Sequence, residues 1–277
     1  MSISPTAVAG TPGSDIVIGG SALLPRHAVF RTRDLEQARL HMCGVLGEHG
    51  VSYLPRQRHL DFRHRQARVS CIALNSLEWG AGVMITAPLL PDFYLLQFTV
   101  AGACELWQGT NYSLLSAGSV AIVNPDRGFR KLLMPGTRQL LVRIDRRLVK
   151  REFRTWTGGD DSSGILFDMP PIDDMAKVGS LARYVRMLCD DLRNGASNLL
   201  HPLVADRVVS GLVSLLLTSM PHNKRRAIEA TANRPIAPFF VRRVEQFIEQ
   251  RAGDAITLAD LTSIAGVSTR ALQTSFR

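Results

Sequence analysis

Four side chains near the end of the chain have the types and the spacing to read a polar surface. Arg270, Gln273, Thr274 and Arg277 stand at i, i+3, i+4 and i+7, so a helix through them brings all four to one face. Ala271, Leu272 and Phe276 fall on the opposite face and can anchor it. Arginine can donate two parallel hydrogen bonds to guanine, glutamine can pair with adenine, and threonine can touch a thymine methyl. Thr269, at the start of the same helix, adds a hydroxyl. The candidate DNA contacts are therefore Thr269, Arg270, Gln273, Thr274 and Arg277. The competing reading is an ordinary solvated helix face.

The elements that must position this face are legible around it. Ser268 is a good N-cap for the helix from Thr269 to Arg277. A short helix precedes it, with Thr257 as N-cap and Asp260 three residues on, a capping-box-like pair with a shorter carboxylate. Leu258, Leu261, Ile264 and Ala265 form that helix's apolar face. Gly266 makes the turn and Val267 points inward. A first helix, about 239–251, carries Phe240, Val244, Phe247, Ile248 and Arg251 in register and is closed by Gly253. A helix, a tight glycine turn and a capped helix make a helix-turn-helix.

The run L-A-D-L-T-S-I-A-G-V-S-T-R-A-L-Q-T-S-F-R, Leu258 to Arg277, resembles the first helix-turn-helix of the AraC/XylS family of transcription regulators. Upstream, D-F-Y-L-L-Q-F-T-V-A-G, W-Q-G-T-N-Y, S-A-G-S-V-A-I-V-N-P and Q-L-L-V-R-I resemble the cupin-like sensor domain of its XylS branch. The resemblance covers roughly residues 30–277 and is strongest after 236. It implies an effector such as an aromatic or other organic acid, a homodimer formed through the sensor region, promoter DNA and RNA polymerase as partners, and activation of nearby genes. It implies no cofactor. Family members carry two helix-turn-helix units joined by a long helix, and here the sequence ends in the first recognition helix. The sequence thus reads as a fragment or a truncated product. Fewer phosphate contacts then leave these residues with weak or no specific DNA binding by themselves.

The residues before 220 point to the same architecture on their own pattern. Short apolar stretches near 69–74, 78–86, 93–100, 104–108, 111–115, 119–124, 129–134 and 139–145 are separated by AGA, QGTN, SAGS and NPDRG, which suits antiparallel hairpins in a small barrel or jelly roll. Residues 34–47 and 146–155 read as helices, and 164–168 as one more strand. Residues 174–193 and 199–220 read as long amphipathic helices that either pack on the barrel or pair with a second subunit. The expected class is α+β: an antiparallel cupin-like barrel with flanking helices, then an all-α segment. Residues 1–25 read as a disordered N-terminus, 26–220 as the sensor and dimerisation domain, 221–235 as a basic proline-flanked linker, and 236–277 as a partial DNA-binding domain.

Bulk properties fit this reading. A net charge of +9 favours a polyanionic partner, with membrane surfaces and solubility as rival explanations. No secretory pattern opens the chain. The longest apolar run, 208–220, falls short of the ~20 residues of a bilayer span, so the expectation is a cytoplasmic protein with no membrane partner. Cys43, Cys71, Cys104 and Cys189 are scattered without a CxxC pair and read as reduced core thiols.

Cupin barrels can also hold a catalytic metal through histidines and a carboxylate. Against that stands the gap between His64 and His201, which leaves the expected strand region without histidine. His59 and His64 sit in the basic run RQRHLDFRHRQAR, which reads as solvated or phosphate-facing. No GxSxG, P-loop, HExxH or GxGxxG occurs, and neither a catalytic residue nor a metal ligand is assigned. A third reading is a sensor and dimerisation protein that binds no DNA effectively. For an effector pocket, Trp79, Tyr94 and Trp107 fall in expected strands. Arg130 or Arg143 could meet a carboxylate, with nothing in the sequence to choose between them.

Overall fold

A computed structural model describes residues 23–158, 164–168, 175–193, 197–232, 239–251, 253 and 255–275. Two compact units divide the chain, residues 1–228 and 229–277.

The first unit is built on eleven strands. They are β1 Ala28–Thr32, β2 Gly50–Tyr53, β3 Phe62–Val69, β4 Ile72–Glu78, β5 Val83–Ala87, β6 Phe93–Ala101, β7 Ala103–Gln108, β8 Asn111–Ser116, β9 Val120–Val123, β10 Phe129–Leu133 and β11 Arg138–Asp145. One sheet runs β1-β3-β4-β11-β6-β9 and the other β2-β5-β10-β7-β8, and every recorded strand pair is antiparallel. The two sheets face each other as a cupin-like barrel. Helix α1, Leu35–Leu46, starts at Asp34, whose carboxylate accepts from Gln37 N at 2.8 Å, and adds Ala38 and Met42 to the barrel core. Helices α2 Arg146–Thr157, α3 Met175–Arg193 and α4 Pro202–Ser219 cover the outside of the six-stranded sheet.

Strand alternation decides which side chains go where. On β11, Leu141 joins the core between the sheets, while Leu140, Val142 and Ile144 join the core under α2–α4. On β6, Phe93 and Leu95 point one way and Tyr94, Leu96 and Phe98 the other. A sheet covered on both faces buries side chains of both parities, which is why every residue from 93 to 100 is buried, Gln97 and Thr99 included. Helix α4 is long and apolar enough for a bilayer span by composition, but Ala205, Val209, Leu212, Leu216 and Leu217 bury its stripe in the helix-layer core. The long helices therefore pack on the barrel.

Several expectations need correction. The run RQRHLDFRHRQAR is solvated only in its first half, where Arg56, Arg58 and His59 are exposed; its second half is β3. His64 is 1% exposed, so the strand region does contain a histidine. The arginines of that run that flank His64 are paired, Arg63 with Asp61 at 2.6 Å and Arg65 with Glu78 at 2.9 Å. Residues 69–74 are not one strand. Val69 pairs with Ile72 across a two-residue turn in which Ser70 has φ +49°, a turn without the usual Asn-Gly signal. Residues 78–86 are likewise split, at Gly80 with φ +73°. Gly102, at φ +75°, turns β6 into β7; a Cβ there would lie 2.7 Å from Thr137 Oγ1 and 2.8 Å from Thr137 Cα. Residues 164–168 make only a single bridge, Phe167 to His222. The expected linker holds a helix, α5 Arg225–Ala232. Leu23 and Leu24 are buried, so order begins before residue 26, and residues 1–22 lie outside the described residues. Cys104 and Cys189 are core thiols as expected, but Cys43 is half-buried and Cys71 exposed.

Candidate functional site

The second unit holds α6 Phe239–Gln250, α7 Leu258–Ala265 and α8 Thr269–Ser275. Val244, Ala265 and Leu272 are its buried centre, with Phe240, Leu261 and Val267 packed around them. The start of α7 is fixed by a complete capping box: Asp260 N donates to Thr257 Oγ1 at 3.3 Å, and Thr257 N donates to Asp260 Oδ2 at 2.9 Å. Thr257 Oγ1 also donates to Asp260 Oδ2 at 2.6 Å, and this bond, followed by that from Thr257 N, holds the Asp260 carboxyl below its usual range. Its end is fixed by Gly266 in the left-handed region, φ +66°, whose N–H donates to Thr262 O at 2.9 Å. Ser268 Oγ then accepts from Ala271 N at 3.3 Å and starts α8.

On α8, Leu272 is buried while Thr269, Arg270, Gln273 and Thr274 are all exposed. Thr274 Oγ1 donates to Arg270 O at 2.8 Å. Its hydroxyl hydrogen is thereby occupied within the helix, leaving the oxygen as an acceptor and the methyl for an outer contact. Phe276 and Arg277 lie outside the described residues. Ile248 and Leu258, expected on apolar faces, are 38% and 46% exposed.

The barrel carries a second arrangement. Between the sheets lies a small cavity that opens to solvent. Leu77, Leu90, Leu95, Phe129 and Leu141 give it apolar walls, and Trp79, His49, Lys131 and Gln139 are its polar members. Lys131 points inward from β10 and is 2% exposed; its Nζ donates to Gln139 Oε1 across the barrel at 3.3 Å. Loss of water pulls its ammonium pKa down, and no carboxylate lines the cavity to offset this. Burial likewise lowers the His49 imidazole and raises the nearby Cys104 thiol. Gln139 Nε2 and Trp79 Nε1 are buried without a hydrogen-bond partner, as are both amide atoms of Gln97 and the Thr99 hydroxyl on the neighbouring strand.

Of the residues read from sequence as pocket candidates, Trp79 alone lines this cavity. Tyr94 belongs to the opposite face of β6. Its hydroxyl donates to Ile165 O at 2.6 Å and its ring meets Phe167 edge-on, so it is a core residue under the helices. Trp107 lies outside the cavity lining, half-buried beneath Arg130, whose guanidinium sits 4.4 Å from the ring centre. Arg143 packs on Phe93 and is exposed. Neither arginine reaches the cavity, and the lysine that does was missed. Within F-R-K-L-L, strand parity makes Arg130 and Lys131 face opposite ways, and no sequence signal says which faces in. Among the described residues no group of three or more His, Cys, Asp or Glu could hold a metal ion.

A two-sheet barrel with a helix layer, followed by a separate helical unit with a capped turn, defines a cupin-like sensor joined to a helix-turn-helix. The chain belongs to the AraC-binding-like domain family, which matches residues 38–218. It is similar to the "Probable thc operon regulatory protein" of Rhodococcus erythropolis, at 24% identity over 90% of this chain and 75% of that one. It is also similar to the "XylDLEGF operon transcriptional activator 3" of Pseudomonas putida, at 26% identity over 72% of this chain and 57% of that one. Among solved structures, the AraC-like transcriptional activator CuxR shares its fold, with TM-score 0.51 and 12% identity over 89% of this chain and 88% of that one.

Proposed function

We propose that this chain is a DNA-binding transcription regulator that senses a small organic effector in its barrel and activates nearby genes. The observation that carries the reading is α8: a capped helix held by buried Leu272 that turns Thr269, Arg270, Gln273 and Thr274 outward. Direct readout falls to Arg270, Gln273 and Thr274, with Thr269 and Arg277 beside them. The barrel supplies effector recognition, and the effector biases how the DNA-binding units of a dimer are presented to promoter DNA and RNA polymerase. The regulator acts in the cytoplasm and catalyses no reaction. Relatives named as operon regulators support this, as does a cavity with apolar walls and few polar groups. The family's domain plan supports residues 26–220 as the sensor and 236–277 as part of the DNA-binding region.

The test is genome-wide mapping of DNA bound by the native gene product, compared with its Arg270→Ala and Gln273→Ala forms. Discrete sites upstream of operons, weakened or shifted in the variants, are expected. Absence of any discrete site would leave a sensor and dimerisation protein and overturn the DNA-reading role.

A further inference from the structure

The geometry points to a second ligand site at the rim of the barrel, an open cleft that takes a phosphoryl group between Arg68 and Arg143. The cleft shares no lining residue with the cavity between the sheets, and it stands whether or not that cavity holds the effector.

Strand register builds the cleft. Ala73 on β4 is the partner of Arg68 on β3 and of Arg143 on β11, so the three form one row across adjacent strands with the alanine in the middle. Residues in one row share a face, and the two arginines stand about 10 Å apart at the backbone, two strand spacings. The cleft over this row has a volume of about 260 Å³, room for a small ligand rather than a single water. Small residues keep it open. Ala73 lines it from the sheet and Gly44 from α1, where a Cβ would meet nothing within 4 Å. Glycine weakens the interior of a helix, and here the space it leaves belongs to the cleft.

The two arginines are uncommitted. Among the described residues neither guanidinium has an ion-pair or hydrogen-bond partner, whereas Arg63 and Arg65 on the same strand β3 are both paired. Arg143 stacks on the Phe93 ring at 4.5 Å, which engages its plane and leaves its N–H edge for a ligand. The other polar groups of the cleft are occupied. Gln66 Nε2 donates to Asn75 Oδ1 at 2.8 Å and Ser70 Oγ to Asp206 Oδ1 at 2.6 Å. Asp145 accepts from Arg147 N at 2.7 Å at the start of α2.

Two forks facing one space select among anions. A carboxylate carries one charge and two oxygens on one side, so a single guanidinium saturates it. A phosphoryl group carries up to two charges and has oxygens on several sides, so both arginines engage it at once. The wider field favours such a ligand here. The residues from 229 onward hold six arginines, no lysine and five carboxylates, so +8 of the chain's +9 belongs to the first unit.

The test is calorimetric titration of the whole chain with inorganic phosphate, glycerol 3-phosphate and acetate at matched ionic strength. At least one of the two phosphates is expected to bind about tenfold or more tightly than acetate. Binding of inorganic phosphate alone would support the site as one for the free ion, and binding of glycerol 3-phosphate as one for a phosphoryl group on an organic body. Arg68→Gln and Arg143→Gln, both at exposed positions, are each expected to weaken binding about tenfold or more. Gly44→Leu is expected to block the cleft with both arginines in place, and thermal unfolding checks that each variant folds. No binding of either phosphate, equal affinity for acetate, or undiminished binding in both arginine variants overturns the inference.

Discussion

His41 Nε2 lies 2.8 Å from His64 Nδ1, and the second ring is locked behind the first. Asn75 fixes the tautomers. Its Nδ2 donates to Leu141 O and Ala73 O, so its Oδ1 is an acceptor and receives both His64 Nε2 and Gln66 Nε2. His64 therefore donates through Nε2 and accepts through Nδ1 from His41, and its ring is neutral.

This pair makes stability depend on pH. Desolvation, reinforced by His41 beside it, pulls His64 down to about 4 from 6.5. The native state then binds fewer protons than the unfolded chain between those values. Stability is fully present above about pH 6.5 and is lost as pH falls toward about 4, on the order of 2–3 kcal/mol in all. Urea unfolding at pH 7.5 and 5.0 measures this. His64→Gln is expected to flatten the slope, and an unchanged slope would remove the histidine pair as its cause.

Thr257→Ala removes the acceptor for Asp260 N and half of the capping box. The expected cost is about 1 kcal/mol, confined to the helical unit, with the barrel transition unchanged. Hydrogen exchange of α7 and of the barrel strands separates the two.

Tyr94→Phe deletes a buried hydroxyl that donates to Ile165 O at 2.6 Å and strands that carbonyl. It is expected to cost about 1–3 kcal/mol of stability and to leave effector affinity unchanged, since Tyr94 faces away from the cavity. Trp79→Phe is expected to do the reverse, weakening effector binding through loss of its indole donor. Calorimetry paired with thermal unfolding of both variants checks the contrast.

Gly102→Ala combines a positive φ with a Cβ 2.8 Å from backbone at Thr137. A loss of more than about 2 kcal/mol is expected by thermal unfolding. A neutral result would mean that the β6–β7 turn rearranges freely.

Gln273→Ala, in the native gene product, is expected to change base preference at one position of the binding site by about 1–3 kcal/mol. A uniform loss across all sequences would instead make Gln273 a backbone contact. Binding measurements on a set of single-base variants decide it.

The sequence made some of this visible and hid the rest for physical reasons. The helical unit was legible in its caps and its turn, because these are local signals: Thr257, Gly266, Ser268 and Leu272 each do what their type suggests, whereas Ile248 and Leu258, placed on apolar faces by spacing, are exposed. Strands from β6 to β11 were legible because Gly and Asn-Pro punctuate them. Strand β3 was hidden because its charged residues alternate with inward Phe62 and His64, and its turn at Ser70 lacks a glycine. The cavity residues other than Trp79 were hidden for a different reason. Register and parity, not composition, decide that Lys131 and Trp79 face in while Tyr94 and Arg130 do not, and a shift of one residue would exchange them.

Strand β11 is a partition with tenants on both sides. Gln139 and Leu141 belong to the chamber inside the barrel, and Leu140, Val142 and Ile144 brace α2–α4 beyond it. A close-packed interior has no slack to absorb a displacement. A guest that nudges Gln139 thus also moves the neighbour holding the helices, and occupancy inside is felt one residue away as a change of footing outside.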